Sequence, residues 1–257
     1  MQAHAELKVG IASQVLTPDP LLPVSGGVPS PGEKPEPAKT KQGELETRAL
    51  VIENSGTKIA IVSVPYLGFP STNCDRVRAQ VKGIKPENII IGSTHVHSAP
   101  DMYAFPIDDE GHTAADLKYI EKACGLIANC INDADSKLAP ATAKIAEGQA
   151  AEKIAYNYYA PQLYDRRCHV MQFIGKDGKA IGTLVNYAVH PEIIGPDQGI
   201  CSPDLVGPLY DRIAAQGGGV GIFMNSAQGG MVTADCRGAD GKDVQTWEEC
   251  QRIGNLL

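Results

Sequence analysis

Apolar positions along the chain recur either at every second residue, which predicts strands, or at helical spacing, which predicts helices. Period-two runs predict a first strand over 7–18 and two hairpins, one turning at Ser55–Gly56 and the other around 176–179. Three further strands are predicted at 88–92, 141–150 and 220–225. Much of the chain is therefore expected to form a β-sheet framework.

Helical spacing marks four segments. The longest runs from 113 to 134, with Thr113 as its predicted N-cap. Ser202-Pro203-Asp204 places a proline in the first turn of a helix that ends at about Gln216. The other two helices are predicted at about 72–81 and 244–257. Hairpins mixed with strand–helix–strand units indicate an α/β (α+β) fold, a mixed β-sheet sandwich with flanking helices.

Residues 19–42 are rich in proline and glycine and are predicted to form a long loop, since proline cannot maintain a strand ladder. Such a loop is either a cover over a functional site or an irregular surface excursion.

Composition excludes some function classes. The 257 residues carry 23 Lys and Arg against 30 Asp and Glu, a net charge of −7, which argues against a nucleic-acid partner. No apolar run approaches the roughly 20 residues of a membrane-spanning helix. The seven cysteines form no CxxC pair, so we expect mostly buried or free thiols. Oligomeric state is left open.

The segment STHVHSAPD places His95 and His97 directly after a predicted apolar strand. In an extended chain, residues two apart point to the same face. Both imidazoles can therefore converge on one metal ion, or one can bind the metal while the other serves the substrate. Imidazole suits zinc, which makes this segment a candidate metal site.

Two later segments also place reactive groups at strand ends. NYAVHPE ends a strand on His190, which could meet His95 if the two strands are neighbours. NSAQGGMVTAD follows another strand and contains Gly229, Gly230 and Thr233. Glycines allow close backbone approach to a ligand, and Ser226 and Thr233 supply hydroxyls, either of which could serve as a nucleophile.

These segments, together with SPDLVG, resemble in order and spacing the neutral/alkaline non-lysosomal ceramidase family. The resemblance implies a ceramidase catalytic-domain-like fold and a Zn²⁺ cofactor. It implies His95 and His190 as metal ligands and His97 as a histidine beside the attacked carbonyl. The implied reaction is attack of metal-activated water on the amide of an N-acyl sphingoid base, a lipid-like substrate.

The chain departs from the family pattern at several positions. Thr233 is the hydroxyl nearest to the family serine, whose aligned position holds Val232. Tyr158 lies near the place of a family arginine, which makes it a candidate substrate-binding residue beside Gly229 and Gly230. Asp101 stands where family members have glycine, which changes the charge of the pocket.

These departures leave three interpretations. The first is a ceramidase-like amide hydrolase, the second is the same metallohydrolase scaffold acting on another amide or ester, and the third is a non-catalytic metal- or ligand-binding remnant. We expect 1–257 to be one catalytic-domain fragment that continues beyond residue 257, where the resemblance places the remaining zinc ligands. The resemblance also implies a secreted or periplasmic protein of sphingolipid metabolism.

Overall fold

Eight long strands form one continuous mixed sheet in the computed structural model, which describes residues 6–27, 35–150, 153–228 and 232–257. The strands are β1 (Lys8–Val15), β2 (Val24–Ser25), β3 (Thr40–Lys41), β4 (Glu46–Asn54), β5 (Thr57–Val64), β6 (Ile89–Ser93), β7 (Ala99–Pro100), β8 (Ala139–Gln149), β9 (Ala155–Asn157), β10 (Arg167–Gly175), β11 (Ala180–Tyr187), β12 (Ile200–Cys201), β13 (Val220–Asn225) and β14 (Val232–Ala234). The α-helices are α1 (Ser71–Arg78), α2 (Leu117–Ser136), α3 (Val206–Ala215) and α4 (Trp247–Leu256).

The strand order β13-β11-β10-β8-β1-β4-β5-β6 divides the large sheet into two halves of the same design. Each half has three antiparallel strands, then a crossover helix, then a strand parallel to its predecessor, then a second helix. The first half is β1-β4-β5-α1-β6-α2, and the second is β8-β10-β11-α3-β13-α4. Among the described residues, the halves share two residue pairings, at the start of β1 and β8. This short junction lets one half fold over the other.

The two halves pack face to face. Ser63 on β5 donates a hydrogen bond of 2.7 Å to the carbonyl of Phe223 on β13, and Arg48 donates one of 3.1 Å to the carbonyl of Gly221. The apolar layer between the halves is formed by Val9, Ile11, Leu50, Phe173 and Ile222. Helix α2 covers the outer face of the first half, α3 covers β13, and α4 packs against α3. The predicted mixed-sheet sandwich with flanking helices is confirmed.

Helix α2 begins later than predicted. Thr113 is not the N-cap of α2, because the Thr113 hydroxyl accepts a hydrogen bond from the amide of Ala115 in a turn that precedes the helix. The cap is Asp116, whose carboxylate accepts the amide of Tyr119 at 2.9 Å. A carboxylate also interacts favourably with the positive end of the helix dipole, so Asp116 is the better cap.

Two compositional predictions can be compared with the structure. All seven cysteines are free, and all but Cys168 are buried, as predicted. Among the described residues, no helix has the length and apolar character required to cross a membrane.

Helix α2 lies directly against β1 at Gly10. A Cβ atom built on Gly10 would lie 2.0 Å from the carbonyl oxygen of Ala134 and 2.9 Å from the amide nitrogen of Leu138. Both neighbours are backbone atoms, so a side chain at this position would push the helix away from the sheet.

We expect Gly10→Ala to lower the free energy of unfolding by about 1–3 kcal/mol, because the overpacked interface must separate. Urea denaturation measures this change. The control is Gly148→Ala, another glycine within a strand, whose added Cβ meets nothing within 4 Å. Equal stability of the two variants would contradict the close contact between α2 and β1.

Asp204 ties the start of α3 to the segment that follows β11. Its side chain is fully buried and accepts the amides of Ile194 at 2.8 Å and Leu205 at 2.6 Å. Burial raises the pKa of Asp204 from 3.8 to about 6, since desolvation of the carboxylate outweighs these hydrogen bonds. Between these two pKa values, the folded state therefore holds a proton on Asp204 that the unfolded chain releases.

Because the pKa of Asp204 is higher in the folded chain, the stability that protonation adds is present at low pH and is lost as the pH rises through 6. We expect wild type to gain on the order of 1 kcal/mol over Asp204→Asn between pH 7 and pH 5. Urea denaturation of both proteins at the two pH values measures the gain. A stability difference that is the same at pH 7 and pH 5 would contradict this assignment.

Candidate metal centre

Three imidazoles meet where the carboxyl ends of β6 and β11 come together. His95 and His97 follow β6, and His190 follows β11. One ring nitrogen from each lies within 4.8 Å of the other two, and the Nε2 atoms of His95 and His190 are 2.9 Å apart. The structure thus brings the three predicted histidines together.

The backbone reaches this arrangement by a turn and not by continuing as an extended strand. His95 has a φ of +71°, in the left-handed region that few residues with a side chain adopt. Its amide donates to the carbonyl of Tyr66 at 3.0 Å, which holds the turn against the segment after β5. The rings of His95 and His97 are 5.1 Å apart. Convergence was predicted, but the extended geometry assumed for it was wrong.

The partners of each Nδ1 atom assign the ring tautomers. Nδ1 of His95 lies 2.5 Å from the carbonyl oxygen of Leu67, so it carries the proton and donates it. Nδ1 of His190 lies 2.8 Å from a carboxylate oxygen of Glu192, in a contact bent away from ideal hydrogen-bond geometry. In both rings Nε2 is left with a lone pair that points into the space between the three imidazoles, the centre of the cluster.

His97 presents the same face to the centre. Its ring lies close to the backbone of Gly26, and its Nε2 is buried without a hydrogen-bond partner among the described residues. With its proton on Nδ1, the ring offers a third Nε2 lone pair to the cluster.

Burial keeps the imidazoles of His95 and His97 neutral. Desolvation lowers the pKa of His95. Desolvation, reinforced by the electrostatic interaction with the ring of His190, lowers the pKa of His97 to about 4. Neutral rings are the form in which histidine binds a metal ion.

Glu192 is a functional residue that the sequence reasoning missed. Its carboxylate contacts His190 and also accepts a hydrogen bond of 2.6 Å from the hydroxyl of Thr233. Burial alone would raise the pKa of Glu192, but these two partners outweigh it and lower the pKa, so the group is an anion. A carboxylate on the far nitrogen of a histidine orients the ring and raises its basicity. The sequence feature that could have identified Glu192 is its position two residues after His190.

Two further predicted residues, Thr233 and Tyr158, lie on the Glu192 side of the histidine cluster. Thr233 is buried on β14, and its hydroxyl donates a hydrogen bond to the carboxylate of Glu192. Tyr158 is half exposed and lines a small cavity of about 100 Å³ with Glu192 and Thr233. Gly229 and Gly230 lie outside the described residues.

Asn225, at the end of β13, joins the two histidine-bearing segments. Its side-chain nitrogen donates to the carbonyls of Thr94 at 2.9 Å and Val189 at 2.8 Å, which are the residues immediately before His95 and His190. Its side-chain oxygen accepts the amide of Ser226 at 3.1 Å. Asn225 thereby sets the spacing of the two rings.

The donor set fits zinc. Two lone pairs that face each other at 2.9 Å repel unless a cation lies between them. Nitrogen ligands of a tetrahedral zinc ion lie about 3.3 Å apart, given Zn–N distances near 2.05 Å. Opening the pair by a few tenths of an ångström would suffice. The cluster can therefore hold a metal ion.

Comparison with known proteins gives similarity in structure alone. No model of a known protein family matches the chain, and no curated protein matches it by sequence. Among solved structures, neutral ceramidase from Pseudomonas aeruginosa superposes with a TM-score of 0.79 at 18% identity, covering 98% of this chain and 43% of the ceramidase. A ceramidase complexed with C2 superposes with a TM-score of 0.76 at 17% identity, covering 98% and 42%. The chain spans less than half the length of these ceramidases and shares their fold over that span.

Proposed function

We propose that the protein is a zinc-dependent hydrolase of linear N-acyl amines, with His95 and His190 as metal ligands. The approach of the Nε2 atoms of these residues to 2.9 Å is the observation that carries the proposal. The ceramidase fold supports it, because in that fold the chain brings together the histidines that the sequence resemblance identified. The reaction adds water across the amide bond and releases a carboxylic acid and an amine.

The bound zinc ion would act as a Lewis acid that polarises the carbonyl and makes water acidic enough to attack at neutral pH. The protein supplies the proton transfer. His97 is neutral, and its unpartnered Nε2 can take the proton from the attacking water and return it to the leaving amine. We therefore assign His97 as general base and then general acid.

Thr233 and Glu192 act on this chemistry through His190. The Thr233 hydroxyl holds Glu192, and Glu192 holds His190, so we propose a positioning role for Thr233 in place of the nucleophile expected from the sequence. Tyr158 is proposed to contact the substrate, since it lines the cavity beside Glu192. For Gly229 and Gly230 a substrate-binding role stays a proposal from the sequence.

Removal of one ligand tests the metal site. We expect wild type to hold about one zinc ion per chain and His95→Ala to lose it, together with hydrolysis of short N-acyl amines. The loss in affinity should exceed the roughly 10- to 100-fold that follows removal of an outer-shell partner. Metal analysis of the purified proteins and competition with a chelator measure it.

His169→Ala is the matched control, because His169 lies on β10 beside Glu147, away from the cluster. If wild type and His95→Ala hold equally little zinc, or if His169→Ala loses as much as His95→Ala, the proposal fails.

The two hydrogen bonds from the Asn225 side chain to the carbonyls of Thr94 and Val189, here called the Asn225 clamp, can be tested through the same metal site. In Asn225→Asp the donors to two backbone carbonyls disappear, at a cost on the order of 3 kcal/mol in stability. Because the spacing of His95 and His190 is then no longer fixed, zinc affinity should fall by at least about tenfold. Thermal unfolding and chelator competition give the two values.

The control Asn186→Asp removes a comparable hydrogen bond, from Asn186 to the carbonyl of Met224 at 2.7 Å, without touching a histidine segment. We expect it to leave zinc affinity unchanged. Unchanged zinc affinity in Asn225→Asp would show that the clamp does not set the spacing of the ligands.

A further inference from the structure

A second cavity, of about 270 Å³, is lined by Asp101, in the segment that follows His97, and by Gly26. Gly26 lies between the cavity and the histidine cluster, since it forms part of the cavity wall and its backbone lies close to the ring of His97. The cavity is bounded on one side by the pairing of β2 with β7, in which Ser25 faces Ala99. A molecule that extends from the cavity to the histidine cluster on this side would pass Gly26.

Asp101 is a buried carboxylate in this cavity. It is only 7% exposed, and its Oδ1 accepts the amide of Tyr103 at 2.8 Å. Its other oxygen, Oδ2, is buried and has no hydrogen-bond partner among the described residues. A buried carboxylate oxygen without a partner is costly, and such costs are retained where a ligand supplies the partner.

The charge of the cavity wall indicates the partner. The described lining residues include two acids, Asp101 and the exposed Asp197, and no lysine or arginine. The remaining wall consists of proline, glycine, valine, alanine and serine. A calcium ion would need about six to eight oxygen ligands, which one buried carboxylate does not provide. An organic cation with an apolar stem matches both the charge and the apolar wall.

The distance to the cluster suits one substrate molecule. Asp101 follows His97 by four residues, so their Cα atoms lie within roughly 14 Å. A chain of a few methylene groups spans that gap between an amide at the cluster and a charged group at Asp101.

We propose that this cavity binds a protonated primary amino group of the substrate, with Oδ2 of Asp101 as its acceptor. Resting on the hydrolase function proposed above, this makes the substrate an amide with a second, positively charged amino group on a short aliphatic chain. Asp101 then determines specificity by pairing with that ammonium group, and Asp197 lies at the exposed rim.

Equilibrium binding tests the subsite without any catalysis. Hexylammonium is the probe and hexan-1-ol its neutral counterpart, titrated calorimetrically into the full-length protein. We expect wild type to bind hexylammonium roughly 10- to 100-fold more tightly than the alcohol, as one buried charge-assisted pair predicts. Asp101→Asn should lose this preference and keep its hydrogen bond from Tyr103, whereas Asp197→Asn should keep the preference.

Equal binding of the two probes to wild type overturns the proposal, as does a preference that survives Asp101→Asn or disappears in Asp197→Asn. If Asp101→Asn does not fold, Asp101→Ser replaces it, since serine can also accept the amide two residues on. The selectivity of wild type requires no variant.

Paired substrates separate this inference from the proposed function and identify the charged arm. N-acetylcadaverine is compared with N-acetylpentylamine, and 6-aminohexanoyl anilide with heptanoyl anilide. A kcat/KM at least about tenfold higher for the charged member of one pair supports the inference and names the arm. Hydrolysis of charged and neutral members at equal rates overturns the inference alone. Absence of all hydrolysis, with hexylammonium selectivity intact, overturns the hydrolase function and keeps the subsite.

Discussion

The centre depends on the side-chain amide of Asn225, which hydrogen-bonds to the carbonyls immediately before His95 and His190. These carbonyls belong to segments from opposite halves of the sheet, so one side chain fixes the relation between the two halves where the histidines meet. With the spacing set, the carbonyl of Leu67 and the carboxylate of Glu192 direct both Nε2 lone pairs toward one point. A cation relieves the resulting repulsion.

The folded-over sheet explains why this point exists. Both halves place a parallel strand after their crossover helix, at opposite edges of the sheet, and folding at the β1–β8 junction brings these edges together. The carboxyl ends of β6, β11 and β13 then meet, as shown by the contacts of Asn225. Strand ends are where loops carry chemistry, because a rigid sheet positions them while their side chains remain free to bind. The cavity at Asp101 extends the same edge.

Much of the framework was predictable from local pattern. The hairpin at Ser55–Gly56 and the fold class follow from hydrophobic periodicity and turn chemistry, which act over a few residues. The histidines were identifiable because each ends an apolar strand. The left-handed turn at His95 was not, since it is held by Tyr66, almost 30 residues earlier. The Asn225 clamp likewise joins residues more than 100 positions apart, and no local pattern encodes such a contact.

The central claim is that imidazole lone pairs on this chain share one zinc ion. X-ray absorption at the zinc edge of the purified full-length protein tests it most directly, because the spectrum reports both the identity and the distance of the ligands. The account predicts at least two imidazole ligands at about 2.0–2.1 Å and no sulfur at about 2.3 Å. Zinc bound through sulfur, or bound without imidazole, would contradict it.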